Sequence, residues 1–234
     1  DRCRERLEGS GVVITNAERS SMEFSAPGVD KGTGLARLAE LLGVDEAAAI
    51  AVGDAENDLA MLRSAGLGVA MGNAIPAAVE AAIDAERPDM VLCVGQASGR
   101  AEITPEFVGI NYANFRIPDN EGFQPLSTKL EEDGPDAYFA TLPVQAMVDA
   151  CKEKGVPANV SYSAGTYCCN EVLYELLYAL DHRHPGVRGG FVHVPYLDSQ
   201  AANLKAGTPS MSLARITEGL TAMVAAMVEH EGED

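Results

Sequence analysis

Two adjacent cysteines, Cys168 and Cys169, are the residues of this sequence that most directly suggest chemistry. They follow Gly165 and precede apolar residues spaced as on one face of a helix, from Val172 to Leu180. This pattern predicts a strand, a glycine turn and a helix whose first turn carries both cysteines. A helix N-terminus favours an anion, so we expect a nucleophilic thiolate with a lowered pKa there. The alternative is a cysteine that only packs in the core.

A cysteine nucleophile needs a base to take its proton and a third group to orient that base. His193 interrupts the apolar strand FVHV, where a lone histidine is either a packed core residue or such a base. Glu106 follows Thr104 and Pro105, which have the pattern of a helix N-cap and first turn. From the residues alone, Glu106 is either an ordinary helix-start glutamate or the orienting acid.

The elements that must position these residues alternate along all 234 residues. We predict strands near residues 48–53, 67–71, 90–95, 138–142, 158–164 and 190–194, separated by helices. The fold class is therefore α/β, a parallel-rich sheet with helices on both faces, or an α/β/α sandwich. One merged sheet and two abutting half-domains both fit the pattern. Because half-domains would expose apolar edges, we also expect a homo-oligomer.

The charge balance excludes some partners. Seventeen basic and thirty-five acidic residues give a net charge of −18, which disfavours nucleic acid and anionic membrane surfaces. No apolar run is long enough to span a bilayer. The five cysteines have no disulfide or zinc spacing, which predicts a reducing, cytoplasmic location.

A second set of candidate residues lies in the first third of the chain. Lys31 stands in GVDKG, and Asp54 and Asp58 lie one turn apart in GDAENDLAML, after a predicted strand. Paired carboxylates at that edge of a sheet suit Mg²⁺. Residues 22–82 resemble the haloacid-dehalogenase superfamily, in particular its Cof-like sugar phosphatases. The resemblance implies that Lys31 contacts a phosphoryl group and that Asp54, with Asp58, holds Mg²⁺. The superfamily's D-x-D nucleophile motif does not precede Lys31.

From about residue 77 onward the chain resembles the pyroglutamyl-peptidase I family of cysteine peptidases. The matching segments are PDMVLCVGQASGRAEITPE, NFRIPDNEG, VSYSAGTYCCNEVLYEL and RGGFVHVPY. The resemblance selects Cys169, which directly precedes Asn170, as the nucleophile and leaves Cys168 as a packing residue. It makes His193 the base and Glu106 its acidic partner, with no cofactor. It also places further residues near an N-terminally pyroglutamylated peptide: Arg116 at the oxyanion and Gln96, Ile117 and Tyr167 around the lactam ring.

The chain departs from that family at its start, because the family's G-F-x-P-F-G-G loop is absent. We therefore predict a dehalogenase-like fragment over residues 1–78 and a peptidase-like domain over residues 79–234. The function expected is removal of N-terminal pyroglutamate by a Cys-His-Glu triad. The alternatives are a Mg²⁺-dependent phosphatase that lacks its nucleophile, and a non-catalytic fusion remnant.

Overall fold

The computed structural model describes residues 6–7, 10–18, 21–45, 49–53, 56–65, 67–70, 76–118 and 123–230. The chain divides into two compact units. The first comprises Asp1–Pro88 and Phe115–Leu126, and the second comprises Asp89–Asn114 and Ser127–Asp234. Within the described ranges, no helix is both long enough and apolar enough to cross a membrane.

Among its described residues, the first unit contains two separate strand pairs and three α-helices of six or more residues. A hairpin pairs β1 (Val13–Glu18) with β2 (Ser21–Ser25), and β3 (Ile50–Gly53) runs parallel to β4 (Leu67–Ala70). The helices are α1 (Lys31–Leu42), α2 (Leu59–Ser64) and α3 (Pro76–Glu86). Helix α1 begins at a capping box between Asp30 and Thr33 and ends at Gly43, whose φ of 66° is the left-handed conformation of a C-cap glycine.

The second unit is built on a three-stranded sheet. Its central strand, β9 (Arg188–Val194), runs parallel to β5 (Met90–Gln96) and antiparallel to β6 (Thr104–Glu106). A further antiparallel pair joins β7 (Val108–Ile110) to β8 (Ala137–Phe139). Four helices complete the described elements of this unit: α4 (Val144–Glu153), α5 (Cys168–Arg183), α6 (Asp198–Ala201) and α7 (Leu213–Glu229).

Alternation along β9 decides which side chains face which helices, because successive strand residues point to opposite faces. Val192 belongs to the main apolar cluster, which α4 and α7 supply with Met147, Val148 and Met223. On the other face, a side chain at Gly189 would meet Leu176 and Leu180 of α5. His193 shares the face of Gly189, so the fold turns it toward α5 and away from the main cluster.

The α/β class predicted from the sequence is confirmed, as are strands within five of the six predicted ranges. A continuous strand over residues 158–164 is wrong. That segment makes isolated parallel bridges from Ala158 to Ile103 and from Ser161 to Glu106. Because Pro105 has no N–H to donate, the hydrogen-bond ladder between the two bridges is interrupted.

The helix start predicted at Thr104 and Pro105 is also wrong, because these residues and Glu106 form β6. Pro105 pairs with Val192 in an antiparallel register, and its carbonyl accepts from Ser161 N at 2.8 Å. Pairing with β9 overrides the local capping pattern, since proline also fits a short edge strand. The two compact units divide between residues 88 and 89. The sequence predicted a domain boundary between residues 78 and 79, a position that lies inside α3. That domain boundary stays a prediction.

Candidate active site

Cys169 is the second residue of α5, as the sequence predicts. The start of this helix is anchored by Asn170, a buried side chain directly after the cysteine. Asn170 Oδ1 accepts from Ile110 N at 2.9 Å, and its Nδ2 donates to the carbonyls of Ile110 at 2.9 Å and Tyr112 at 3.1 Å. A side-chain amide that makes three hydrogen bonds to the end of β7 and the residues just after it fixes the position of the helix N-terminus, and with it the thiol.

His193 and Glu106 form a buried pair on neighbouring strands. His193 is 3% exposed and Glu106 is fully buried, and His193 Nδ1 lies 2.6 Å from Glu106 Oε1. Because a carboxylate only accepts, Nδ1 is the donor in this contact. The neutral imidazole then keeps the lone pair of Nε2 available, which is the arrangement that a general base requires.

Gly95 links this pair to the thiol. Gly95 lies opposite His193 in the parallel register of β5 and β9. A Cβ at Gly95 would lie 3.7 Å from Cys169 Sγ and 2.5 Å from the Phe191 ring. The thiol therefore lies over the strand position beside His193, and the Phe191 ring leaves no room for a side chain at Gly95. The structure pairs His193 with Glu106 and places Cys169 next to the strand neighbour of His193, while the roles of the three residues as a catalytic triad stay a prediction.

The lowered thiol pKa expected from the helix N-terminus is wrong. Burial is the largest influence and raises the pKa of Cys169 from 9.0 to about 11, with Cys168 and the Glu106 charge raising it further. Arg100 and the Cys169 N–H lower it, but by less. In the resting site Cys169 is therefore a thiol, and a base must take its proton as it attacks.

Arg100 is a residue of this site to which the sequence reasoning gave no role. Its NH1 lies 2.8 Å from Glu106 Oε1 and also donates to Thr104 Oγ1, while NH2 donates to Ser163 O at 3.4 Å. A signal was present: a buried glutamate needs a counter-charge, and Arg100 stands six residues before Glu106. Asn170 and Gly95 had no comparable signal, because their roles depend on distant parts of the chain.

The predicted substrate residues are divided between the two units. Gln96 ends β5 and donates from Nε2 to Gln200 Oε1 at 2.7 Å, and Tyr167 is the N-cap of α5, so both belong to the unit that holds Cys169. Arg116 and Ile117 lie in Phe115–Leu126 of the other unit, and both are exposed. Their roles at the oxyanion and the ring stay predictions.

In the first unit, Lys31 and Asp58, which the sequence assigned to a phosphoryl group and to Mg²⁺, contact each other. Lys31 Nζ lies 2.6 Å from Asp58 Oδ1, and Asp58 is buried. Asp54 lies outside the described residues. The residues that the structure describes contain no group of three or more His, Cys, Asp or Glu side chains that could hold a metal ion. A carboxylate already paired with a lysine is a poor partial site for Mg²⁺, so the predicted metal site stays a prediction.

Comparison with protein families gives two matches. Residues 46–230 match the profile of a family described as pyroglutamyl peptidase, and residues 1–84 match one described as haloacid dehalogenase-like hydrolase. Among similar curated proteins, the pyrrolidone-carboxylate peptidase of Lactobacillus johnsonii is 49% identical over 155 residues, which cover 66% of this chain and 72% of that protein. The enzyme of the same name from Clostridium botulinum is 50% identical over 152 residues, covering 65% and 71%.

Solved structures give the same picture for the fold. The pyroglutamyl peptidase I of Bacillus amyloliquefaciens superposes with a TM-score of 0.64 at 44% identity, covering 67% of this chain and 73% of that one. The pyrrolidone carboxyl peptidase of Thermococcus litoralis gives a TM-score of 0.67 at 31% identity, covering 79% and 94%.

Proposed function

The chain belongs to the pyroglutamyl peptidase family, and from this membership we propose that it releases N-terminal pyroglutamate from peptides through Cys169, His193 and Glu106. The observation that carries the assignment of roles is the buried 2.6 Å contact between His193 Nδ1 and Glu106 Oε1. It fixes one tautomer of an imidazole beside a thiol. That arrangement supports nucleophilic catalysis better than a structural role for the histidine.

In the proposed reaction, Cys169 Sγ attacks the carbonyl carbon that joins the pyroglutamyl ring to the next residue. His193 Nε2 takes the thiol proton as the S–C bond forms, and Glu106 stabilises the resulting imidazolium through Nδ1–H. When the C–N bond breaks, His193 returns the proton to the leaving amine. Water activated by His193 then hydrolyses the thioester, which releases pyroglutamate and restores the thiol.

Developing negative charge on the carbonyl oxygen requires hydrogen-bond donors. The Cys169 N–H lies at the helix N-terminus and is one candidate donor, and Arg116 is the second that we propose. For the neutral ring, Gln96 and Tyr167 are the proposed contacts, with Ile117 as an apolar wall. The peptidase reaction as written needs no metal or cofactor, since each proton and electron pair is accounted for by the side chains and water.

Hydrolysis of pyroglutamyl-aminomethylcoumarin tests this proposal. The wild-type protein and Cys168→Ala are expected to release the fluorophore at similar kcat/KM. Cys169→Ala is expected to lose roughly 10⁴-fold or more, as other enzymes do when the nucleophile of a triad is removed. Equal loss in both cysteine variants would contradict the choice of nucleophile, and inertness of a folded wild-type protein would contradict the activity.

A Mg²⁺-dependent phosphatase is the second candidate, and the contact between Lys31 and Asp58 is the observation that favours it. Its test is hydrolysis of p-nitrophenyl phosphate with and without Mg²⁺ in wild type and Asp54→Asn. Turnover that needs both Mg²⁺ and Asp54 would support a phosphatase. Its absence in a sample with peptidase activity would leave only the peptidase reaction.

A cytoplasmic, homo-oligomeric protein is also part of the proposal. The cysteines that the structure describes, Cys93, Cys151, Cys168 and Cys169, form no disulfide, which is the state that a reducing compartment maintains. Cys93 is buried, and burial raises its pKa to about 12. Cell fractionation and light scattering of the purified chain test location and assembly.

A further inference from the structure

Two groups contact one carboxylate oxygen of Glu106, and the other oxygen has a different environment. Oε1 lies 2.6 Å from His193 Nδ1 and 2.8 Å from Arg100 NH1. Oε2 is buried, and among the described residues it has no hydrogen-bond partner. Water does not stabilise a carboxylate that is 0% exposed, so its charge depends on its protein partners. Of the two partners, Arg100 is the one that is always charged, and it therefore supplies a permanent positive charge beside this oxygen.

Arg100 is also connected to the chain segment that leads to the nucleophile. Its guanidinium donates to Ser163 O at 3.4 Å, five residues before Cys168, and to Thr104 on the strand of Glu106. Thr104 in turn lies opposite His193 in the register of β6 and β9. One side chain thus contacts both the strand of the acid and the loop before the thiol. Its own exposure is 23%, so solvent screens it only in part.

We propose that Arg100 is a positioning residue, which holds the carboxylate of Glu106 toward His193 and places a permanent positive charge near both of them. The proposal rests on the function proposed above, since it concerns the same three groups. Without Arg100, the carboxylate of Glu106 would turn away from His193 and no longer stabilise the imidazolium. This change slows the chemical step more than substrate binding.

The pH dependence of Cys169 alkylation is a readout that a change in packing alone would not shift. It is set by the charged and titratable groups around the thiol. They are Cys168 on α5, Glu106 on β6, Arg100 in the loop after β5 and His193 on β9. The first two raise the pKa of Cys169 and Arg100 lowers it. Replacing Arg100 by a neutral side chain of similar length should therefore move alkylation of Cys169 to higher pH. Lysine at this position should leave that pH nearly unchanged, because the charge is retained.

The experiment compares Arg100→Met, Arg100→Lys and Arg37→Met in a Cys168→Ala background. Arg37 is an exposed arginine paired with Glu40 on α1, and its replacement is the control. For each variant, kcat and KM on pyroglutamyl-aminomethylcoumarin are measured. The rate of iodoacetamide labelling of Cys169 is followed by peptide mapping as a function of pH. Circular dichroism reports whether each variant is folded, and Arg100→Gln replaces Arg100→Met if the latter is not.

We expect Arg100→Met to lower kcat roughly 10- to 100-fold with a smaller change in KM, and to raise the labelling midpoint by about one pH unit, the size typical for loss of a nearby opposite charge. Arg100→Lys should restore the midpoint and part of kcat. A labelling midpoint identical in wild type and Arg100→Met would overturn the proposal, whatever happens to kcat. If no variant hydrolyses the substrate but the midpoints still shift, the proposed function fails and the electrostatic role of Arg100 stands.

Discussion

Each unit of this chain contains a carboxylate that contacts a basic side chain at a predicted site. In the second unit this carboxylate is Glu106, and in the first unit it is Asp58. The two carboxylates differ in what surrounds them. Glu106 is fully buried, and Arg100 and His193 both contact it. Its charge also raises the pKa of the Cys169 thiol. Lys31 contacts Asp58 from a more open position, since the lysine side chain is 40% exposed. Both pairs come from sequence motifs that match known families.

The difference teaches that a matched motif and an assembled site are separate facts. Strands β5, β6 and β9 and the start of α5 all deliver side chains to one place in the second unit. In the first unit, the predicted phosphate-binding lysine and one predicted metal ligand are paired with each other, Lys31 Nζ with Asp58 Oδ1. A site that can do chemistry needs groups that are held close but not used up by their own contacts, as Nε2 of His193 and the thiol are.

The largest effect that would sharpen this comparison is expected from Glu106→Gln. A neutral amide cannot stabilise the imidazolium, and its NH₂ can turn His193 into the wrong tautomer, so kcat should fall by about 10³- to 10⁴-fold. Steady-state kinetics on pyroglutamyl-aminomethylcoumarin measure the loss, with the exposed Glu102→Gln as the control. If kcat fell by less than about tenfold, Glu106 would have only a structural role, and it would not differ from Asp58 in function.

A smaller effect, on stability, is expected from Asn170→Ala. The change removes three hydrogen bonds, with Ile110 N, Ile110 O and Tyr112 O, which should cost about 3 kcal/mol in the free energy of unfolding. Urea denaturation followed by circular dichroism measures it. Asn203→Ala removes an exposed asparagine whose Nδ2 donates to Ser199 O; it is the matched control and should change stability by less than about 0.5 kcal/mol. Similar midpoints for both variants would mean that Asn170 does not anchor α5.

The smallest effect is expected from Asp58→Asn. Lys31 is partly exposed and can be solvated when its partner is neutral, so the unfolding free energy should change by less than about 1 kcal/mol. Peptidase kcat/KM should not change. Glu40→Gln, which breaks the exposed pair with Arg37, gives the reference for a surface contact. A peptidase activity that fell in Asp58→Asn would contradict the claim that only the carboxylate of the second unit takes part in the peptidase reaction.

The sequence predicted the chemistry of the second unit better than its local structure. Cys169 at a helix start and His193 inside an apolar strand were readable, because helical and strand periodicities are local. The conformation around Glu106 was not, since pairing of Pro105 with β9 overrides the capping pattern of Thr104.

The missed features have a common physical reason. The raised pKa of Cys169 arises from burial under side chains that are distant in sequence, and a helix-terminus argument does not include it. Asn170 bonds a strand sixty residues away, and Gly95 matters only because Phe191 and Cys169 pack over it. These contacts depend on how the strands pair, which single-sequence patterns do not specify.

The central claim is that Cys169, and not its neighbour, attacks the bond next to the lactam ring. A pyroglutamyl chloromethyl ketone tests it directly, because this reagent carries the ring and alkylates the thiol that a bound substrate would meet. Tandem mass spectrometry of the peptide that contains both cysteines locates the adduct. We predict a single adduct on Cys169, slowed by excess pyroglutamyl peptide and by His193→Ala. An adduct on Cys168, or labelling of Cys151 at the same rate, would contradict the account.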